Sequence, residues 1–236
     1  MDDVPTTPKL RKIPYTAPLI GNIRQILTGL QGFDSMAREI VQNADDAGAD
    51  KIRFNIGEKS LDVWNNAEFA SCGLETGRCD WETDPDDKQR KACDFHAIST
   101  VGSGNKYRDP ALIGRFGIGF VSVYQITDTP IIRSRDIQLK LDPLHEENTI
   151  IPIANIDGSE FILPWAYDEN SPIRDALSAS AINSSDLDVL QEDLVRVADD
   201  CLLFLRNLKK VEVLREGKLV KSAERQNLGE NRVRLS

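Results

Sequence analysis

The segment that most constrains this chain superimposes two patterns on one helix. Phe33, Met36, Ala37, Ile40, Ala44 and Ala47 recur at helical spacing, and Gly48 follows as a natural stop. Such a stripe requires the helix to bury one face against a partner. Glu39, Asn43 and Asp46 are interleaved with it and, at about 100° per residue, fall within a sector of roughly 60° flanking the apolar positions. The helix therefore packs by one side and shows two carboxylates and an amide to an adjacent cleft. Glu39 has the chemistry of a general base that aligns water, and the Asn43 amide oxygen suits a hard cation such as Mg²⁺. The bland alternative is a solvated helix face, where Glu, Asn and Asp are commonplace.

Glycines then crowd one short window: Gly102, Gly104, Gly114, Gly117 and Gly119. The run Gly114-Arg115-Phe116-Gly117-Ile118-Gly119-Phe120 stands directly before an apolar stretch predicted to be helical from about Gly119 to Gln125. Glycines let backbone N–H groups approach an anion closely, and a helix N-terminus adds its own unpaired donors. An ordinary glycine-rich turn is the alternative. Gly102-Ser103-Gly104-Asn105-Lys106 is a second candidate loop. It is not a Walker A motif, because Tyr107 follows Lys106 and no glycine precedes it at the required spacing. A phosphate cradle, a metal-ligating amide and a general base together make the parts of a nucleotide-hydrolysing site. ATP is the expected ligand.

Around these motifs the chain divides into an extended arm over residues 1–19, with Pro5, Pro8, Pro14 and Pro18, a nucleotide-binding domain over 20–215, and a remainder over 216–236. That remainder is read either as the start of a following segment or as final sheet strands. A short helix is predicted from Asn22 to Leu30, strands at Lys51–Ile56 and around Leu61–Trp64, and an irregular polar insertion over residues 70–95. Further strands are predicted at Ile131–Arg135, Ile137–Leu141 and Glu160–Leu163. Leu187, Leu190, Leu194, Val197, Cys201 and Leu205 mark a long helix with Ser184 or Ser185 as its cap, and a hairpin follows at Lys210–Arg215 and Lys218–Lys221. The regular βαβ rhythm of a parallel sheet is absent.

Composition excludes some functions. The 236 residues carry a net charge of −9, which argues against a broad basic surface for nucleic acid, and no apolar run reaches the length of a membrane span. The acidic N-terminus, Met1-Asp2-Asp3, lacks the apolar core of a secretory signal. Four cysteines in a chain this size do not suggest a disulfide scaffold, so a reducing, cytoplasmic setting fits best. Cys72, Cys79, Cys93 and His96 could form a Cys₃His zinc site, but their separations of six, thirteen and two residues lack a tight Cys-x-x-Cys knuckle. Free thiols and an ordinary histidine are the favoured reading. Cys201 belongs to the apolar face of the late helix.

Taken in order, the motifs resemble those of the GHKL (Bergerat-fold) ATPases, and among them sacsin N-terminal-like domains and the ninety-kilodalton heat-shock chaperone most closely. Glu39-x-x-x-Asn43-Ala44-x-Asp46-Ala47 is similar to the family's first motif. Ser103-Gly104-Asn105-Lys106 is similar to the chaperone's ATP-lid segment, and Gly114–Phe120 running into Val123–Asp128 resembles the sacsin-type phosphate loop and its helix. Gly158-Ser159 is similar to the family's Gly-Thr motif, whose hydroxyl helps hold adenine. The family usually places an aspartate after the second strand to receive the adenine amino group. This chain has Asn65-Asn66-Ala67-Glu68-Phe69 there, and the Asn65 carbonyl oxygen can accept the same bond without the charge.

The resemblance implies an α/β (α+β) two-layer sandwich, with a mixed, mostly antiparallel sheet, helices on one face, and ATP with Mg²⁺ between helix and lid. Glu39 implies hydrolysis, since histidine kinases of this fold carry Asn at that place. Asp46-Ala47-Gly48-Ala49 is also similar to the mismatch-repair ATPases, but the Gly114–Phe120 loop and the acidic balance point elsewhere. Family members commonly complete catalysis with a Lys or Arg from a following domain. The chain is accordingly expected to be the front of a longer protein, a chaperone-like conformational switch whose partners are further domains or a protein client. The alternative is a nucleotide-sensing interaction module with little hydrolysis.

Overall fold

The computed structural model describes residues 19–74, 79, 81, 92–99, 119–145, 147–227 and 233–235. Most of the predicted N-terminal arm, and residues 100–118, lie outside them. Among the described residues are the helices α1 (Leu19–Thr28), α2 (Asp34–Asp46), α3 (Asp94–Ser99), α4 (Pro172–Leu177) and α5 (Ser184–Cys201), with a 3₁₀ helix at Phe120–Gln125. The strands are β1 (Lys51–Ile56), β2 (Ser60–Asn65), β3 (Ile131–Asp142), β4 (Glu147–Pro164), β5 (Lys210–Arg215), β6 (Lys218–Asn227) and β7 (Val233–Leu235). They form one sheet in the order β3-β4-β2-β1-β5-β6-β7. Only β1 and β5 pair in parallel; the other described pairings are antiparallel. The expected two-layer, mostly antiparallel architecture is what the chain adopts.

Side-chain alternation explains which face the helices cover. Ile52, Phe54 and Ile56 of β1 are buried, as are Leu61 and Val63 of β2, Val211 and Val213 of β5, and Phe161 and Leu163 of β4. Residues two apart share a face, so these positions make one apolar surface. Helix α2 packs on α5 and on the 3₁₀ helix, while α5 covers β1, β5 and β6. The same alternation carries polar residues onto the core face at one end of the sheet. Asn65 is in phase with Leu61 and Val63, and it pairs with Ser159, which in turn pairs with Ser134.

Helix α2 is held at both ends by carboxylates. No side chain of its own caps its start, and Asp193 of α5 takes that part, accepting the Phe33 N–H at 2.9 Å. Its end is a Schellman turn: Ala49 N–H donates to Ala44 O and Gly48 N–H to Asp45 O, with Gly48 at φ +84°. The Asp45 side chain then accepts three backbone N–H bonds from the chain entering β5, those of Arg206, Asn207 and Leu208, at 3.1, 2.7 and 2.8 Å.

Several boundaries differ from those predicted. Helix α1 begins at Leu19 rather than Asn22, because Leu19 and Ile20 pack on the core beside Ile23. The cap of α5 is Asn183 rather than a serine: its side chain accepts from Ser185 N and Asp186 N, and Asp186 bonds back to the Asn183 N–H at 2.9 Å. The stretch read as irregular over residues 70–95 contains the start of α3. Strand β3 joins the two strands predicted at Ile131–Arg135 and Ile137–Leu141, with an irregularity at Arg135, and β4 is far longer than the predicted Glu160–Leu163. The outer part of β4 exposes Ile150 and Ile151, so no buried face imposed a period on it, although Leu139 and Leu141 of β3 opposite are buried. The turn after Gly119 is a 3₁₀ helix rather than an α-helix. Arg174, 1% exposed, ties its end down by donating to the carbonyls of Tyr124, Gln125 and Thr127.

Candidate functional site

Between α2 and the sheet lies a narrow cleft, with a cavity volume of about 20 Å³. Ile40, Asn43 and Ala44 of α2 with its C-cap Ala47 form one wall, and Asn65, Phe161 and Leu163 of the sheet form the other, with Ala67, Phe69 and Phe120 completing it. Phe161 packs between Phe69 and Phe120, with ring centroids 5.9 and 5.8 Å away. The cleft's lining is apolar apart from Asn43 and Asn65.

Asn43 is the unusual member of this lining. It is 7% exposed, and neither its amide oxygen nor its amide nitrogen has a hydrogen-bond partner among the described residues. Buried side-chain amides are ordinarily satisfied, and leaving one unpaired costs roughly 1–3 kcal/mol. An amide held this way is a ready oxygen ligand, so the residues present fit an Mg²⁺ ion bound with a nucleotide.

One turn earlier on α2, the Glu39 carboxylate lies against the backbone of Gly119. A Cβ at Gly119 would stand 1.8 Å from Glu39 Oε2, so only glycine leaves room for the carboxylate there. Gly119 has ordinary helical dihedrals of φ −66° and ψ −47°. Its lack of a side chain serves space rather than conformation. Gly119, the last glycine of the sequence run, thus lies directly on Glu39.

The remaining predicted residues fall into distinct groups. Asp46 does not line the cleft, and its Oδ1 accepts from Gln42 Nε2 at 3.4 Å. Asn65 does line it and is 4% exposed, but its Oδ1 already accepts the Ala67 N–H at 3.0 Å, which leaves one lone pair for a ligand. Ser159 is fully buried behind the wall, where its Oγ lies 2.7 Å from Ala67 O and 2.9 Å from Ser134 Oγ. Ser134 Oγ in turn accepts the Phe69 N–H at 2.9 Å. This serine pair fixes the segment 67–69 that forms the cleft's rim. Ser103, Gly104, Lys106, Gly114, Arg115, Phe116, Gly117 and Ile118 lie outside the described residues.

Sequence reasoning missed Asp45, Asp128 and Arg174 as organisers of the site. Asp128 accepts Arg174 Nε at 2.5 Å and Ser171 Oγ at 2.7 Å, so Arg174 bridges α4 to the 3₁₀ helix that carries Phe120. Most of the partners of Asp45 and Arg174 are backbone groups, which no side-chain pattern announces. No helix among the described residues is long and apolar enough to cross a membrane.

The family described as the sacsin domain matches residues 16–152, a span that takes in Glu39, Asn43, Asp46, Asn65 and the whole glycine-rich window. Sacsin of Homo sapiens is 34% identical over 127 residues, which are 53% of this chain and 3% of that protein. The chain therefore spans a small part of the relative's length. Among solved structures, the N-terminal domain of a DNA repair protein aligns with a TM-score of 0.48 and 15% identity, over 86% of this chain and 57% of that one. A variant of the Aquifex aeolicus MutL ATPase domain aligns with a TM-score of 0.43 and 14% identity, over 81% and 63%.

Proposed function

The chain belongs to the sacsin domain family, and from that premise we propose that it binds ATP in the cleft between α2 and the sheet and hydrolyses it with Mg²⁺. The observation that carries this reading is the Asn43 amide, buried in the cleft wall with both of its polar atoms unpartnered among the described residues. The apolar slot takes the adenine ring, and Asn65 Oδ1 offers its remaining lone pair to the exocyclic amino group. Mg²⁺, when bound with the nucleotide through Asn43, neutralises charge on the phosphates.

Glu39 is assigned the base that orients the attacking water, held in place by its contact with Gly119. Gly114–Phe120 and Ser103–Lys106 are assigned to the phosphates. In this reading the hydrolysed nucleotide drives a conformational switch within a longer, cytoplasmic, chaperone-like protein, and a basic residue from elsewhere in that protein completes the site.

A second reading, a nucleotide sensor with little hydrolysis, draws on Asn65. Its uncharged oxygen is already half occupied by the Ala67 N–H. Calorimetric titration with Mg·ATP followed by a phosphate-release assay separates the two. Glu39→Gln is expected to keep ATP affinity within a few-fold and to slow phosphate release by roughly 10²–10⁴. A release rate equal to that of the unmodified protein removes Glu39 as the base. ATP binding without any phosphate release by the unmodified protein favours the sensor.

A further inference from the structure

Cys72 and Cys79 are distant in sequence from the close pair Cys93 and His96, yet the fold gathers all four. The three sulfurs and a ring nitrogen of His96 all lie within 4.8 Å of one another. Cys93 Sγ stands 3.7 Å from Cys72 Sγ and 3.2 Å from His96 Nδ1, and Cys72 Sγ stands 3.6 Å from the same nitrogen. Cys79 and Cys93 are 2% and 0% exposed, and all the cysteines are free of disulfides.

We propose that these four side chains hold a structural zinc ion. Tetrahedral zinc with Zn–S of about 2.3 Å and Zn–N of about 2.0 Å sets S···S edges near about 3.8 Å and S···N edges near about 3.5 Å. The Cys72–Cys93–His96 triangle already has those dimensions to within a few tenths of an ångström. Three thiolates and a neutral imidazole are the soft donors zinc prefers, and four protein ligands leave no open position for catalysis. On binding, the three thiols release their protons to solvent, and His96 coordinates through Nδ1 while its other nitrogen keeps the proton. The Cys93 N–H already donates to Cys79 Sγ at 3.1 Å, the kind of outer bond that steadies a metal-bound thiolate.

The ion has a definite mechanical task. Helix α3 is stitched to the end of the β2 segment by Ala70 N–H to Asp94 Oδ2 at 2.8 Å and Asp94 N–H to Ala70 O at 3.1 Å. Phe95 of α3 packs on Phe69 at 5.1 Å, and Phe69 lines the nucleotide cleft. Zinc would therefore clamp the polar insertion to the cleft's rim, where short hydrogen-bonded segments have little apolar core of their own.

Metal analysis of the full chain, purified without chelator, is expected to find stoichiometric zinc. Cys93→Ser and His96→Ala should lose it, and Cys201→Ser, whose sulfur lies outside the cluster, should retain it. Stripping the metal should lower Tm by on the order of 5–10 °C, restored by adding zinc back. Should the ligand variants fail to fold, Co²⁺ loaded into the stripped, unmodified chain is expected to give the intense visible bands of a tetrahedral thiolate site. Absence of stoichiometric zinc, a Tm indifferent to metal removal, octahedral Co²⁺ spectra, or a native Cys72–Cys93 disulfide in mass analysis would overturn the proposal. ATP titration of the stripped chain is read separately, so the nucleotide assignment stands or falls on its own.

Discussion

Asn43 and Asp45 are two residues apart on one helix, both polar and both buried, and their surroundings are opposite. Asp45 is 2% exposed and accepts three backbone N–H bonds, and Asn207 Nδ2 also donates to its carbonyl oxygen at 2.8 Å. Asn43 is 7% exposed and has no described partner for either amide atom. A rotation of about 200° along the helix separates them. One side of α2 faces the chain entering β5, and the other faces the cleft. Polar groups that hold a fold are satisfied within it, whereas a polar group that waits for a ligand is left open at a cost in stability. The proposed ligand role of Asn43 rests on this contrast as well as on motif.

Breaking the satisfied side should have the largest effect. Asp45→Ala strands three backbone donors of a partly buried loop, and the loss is expected to be about 3 kcal/mol. Chemical denaturation should show a lower midpoint with little change in slope. Asn43→Ala removes an amide that contributes no internal bond, so stability should stay within about 1 kcal/mol of the unmodified chain. Mg·ATP affinity should nevertheless fall by about 10-fold or more, the worth of one charge-assisted contact. A stable Asp45→Ala, or an Asn43→Ala that unfolds, would reverse the assignment; calorimetry with Mg·ATP on the folded Asn43 variant tests the ligand half directly.

The two sides of α2 were also unequally legible. The apolar stripe from Phe33 to Ala47, the stop at Gly48 and the placing of Glu39 beside Asn43 follow from local period alone, and the helix is found within a residue of its predicted limits. The first two strands are equally local, since Ile52-x-Phe54-x-Ile56 alternates plainly. Asp45 was invisible because its donors are backbone amides about 160 positions away, as their separations of 161, 162 and 163 show. On the β3 side of the long hairpin the buried Leu139 and Leu141 alternate, and that stretch was predicted, whereas the facing residues Ile150 and Ile151 of β4 are exposed and no alternation marked them. The Cys–His set was legible as a possible cluster but its closeness was not, because Cys72 and Cys79 reach Cys93 and His96 through topology rather than through a short spacing.

Gly119 sharpens the comparison on the cleft side. Alanine fits its backbone conformation, so Gly119→Ala should fold with nearly unchanged Tm. Its methyl group would occupy the place of Glu39 Oε2, and the carboxylate must swing away. If Glu39 acts by position, phosphate release should fall by roughly 10–10²-fold while ATP affinity changes much less. Equal losses in affinity and rate would instead indicate that the loop, not the carboxylate, was displaced.

The smallest expected effect concerns a second satisfied carboxylate, Glu212, on the sheet face opposite the helices. Burial by itself would raise its pKa, but hydrogen bonds from Lys210, Arg53 and Lys51 outweigh that and hold the carboxyl down at about 2. Its contacts are side chains at 2.9, 2.9 and 3.3 Å rather than backbone amides. These long cations are 29–45% exposed and can turn to water when the carboxylate is gone, unlike the fixed amides around Asp45. Because the folded pKa lies below the unfolded value of about 4.3, the contribution is full above about pH 5 and is lost as pH falls toward about 2. At neutral pH, Glu212→Gln should cost on the order of 1–2 kcal/mol, discounted for solvent screening of the partners. Thermal unfolding followed from pH 6 to pH 2 should show the two proteins converging as the carboxylate protonates. A constant gap across that range would mean that Glu212 contributes through packing and not through its charge.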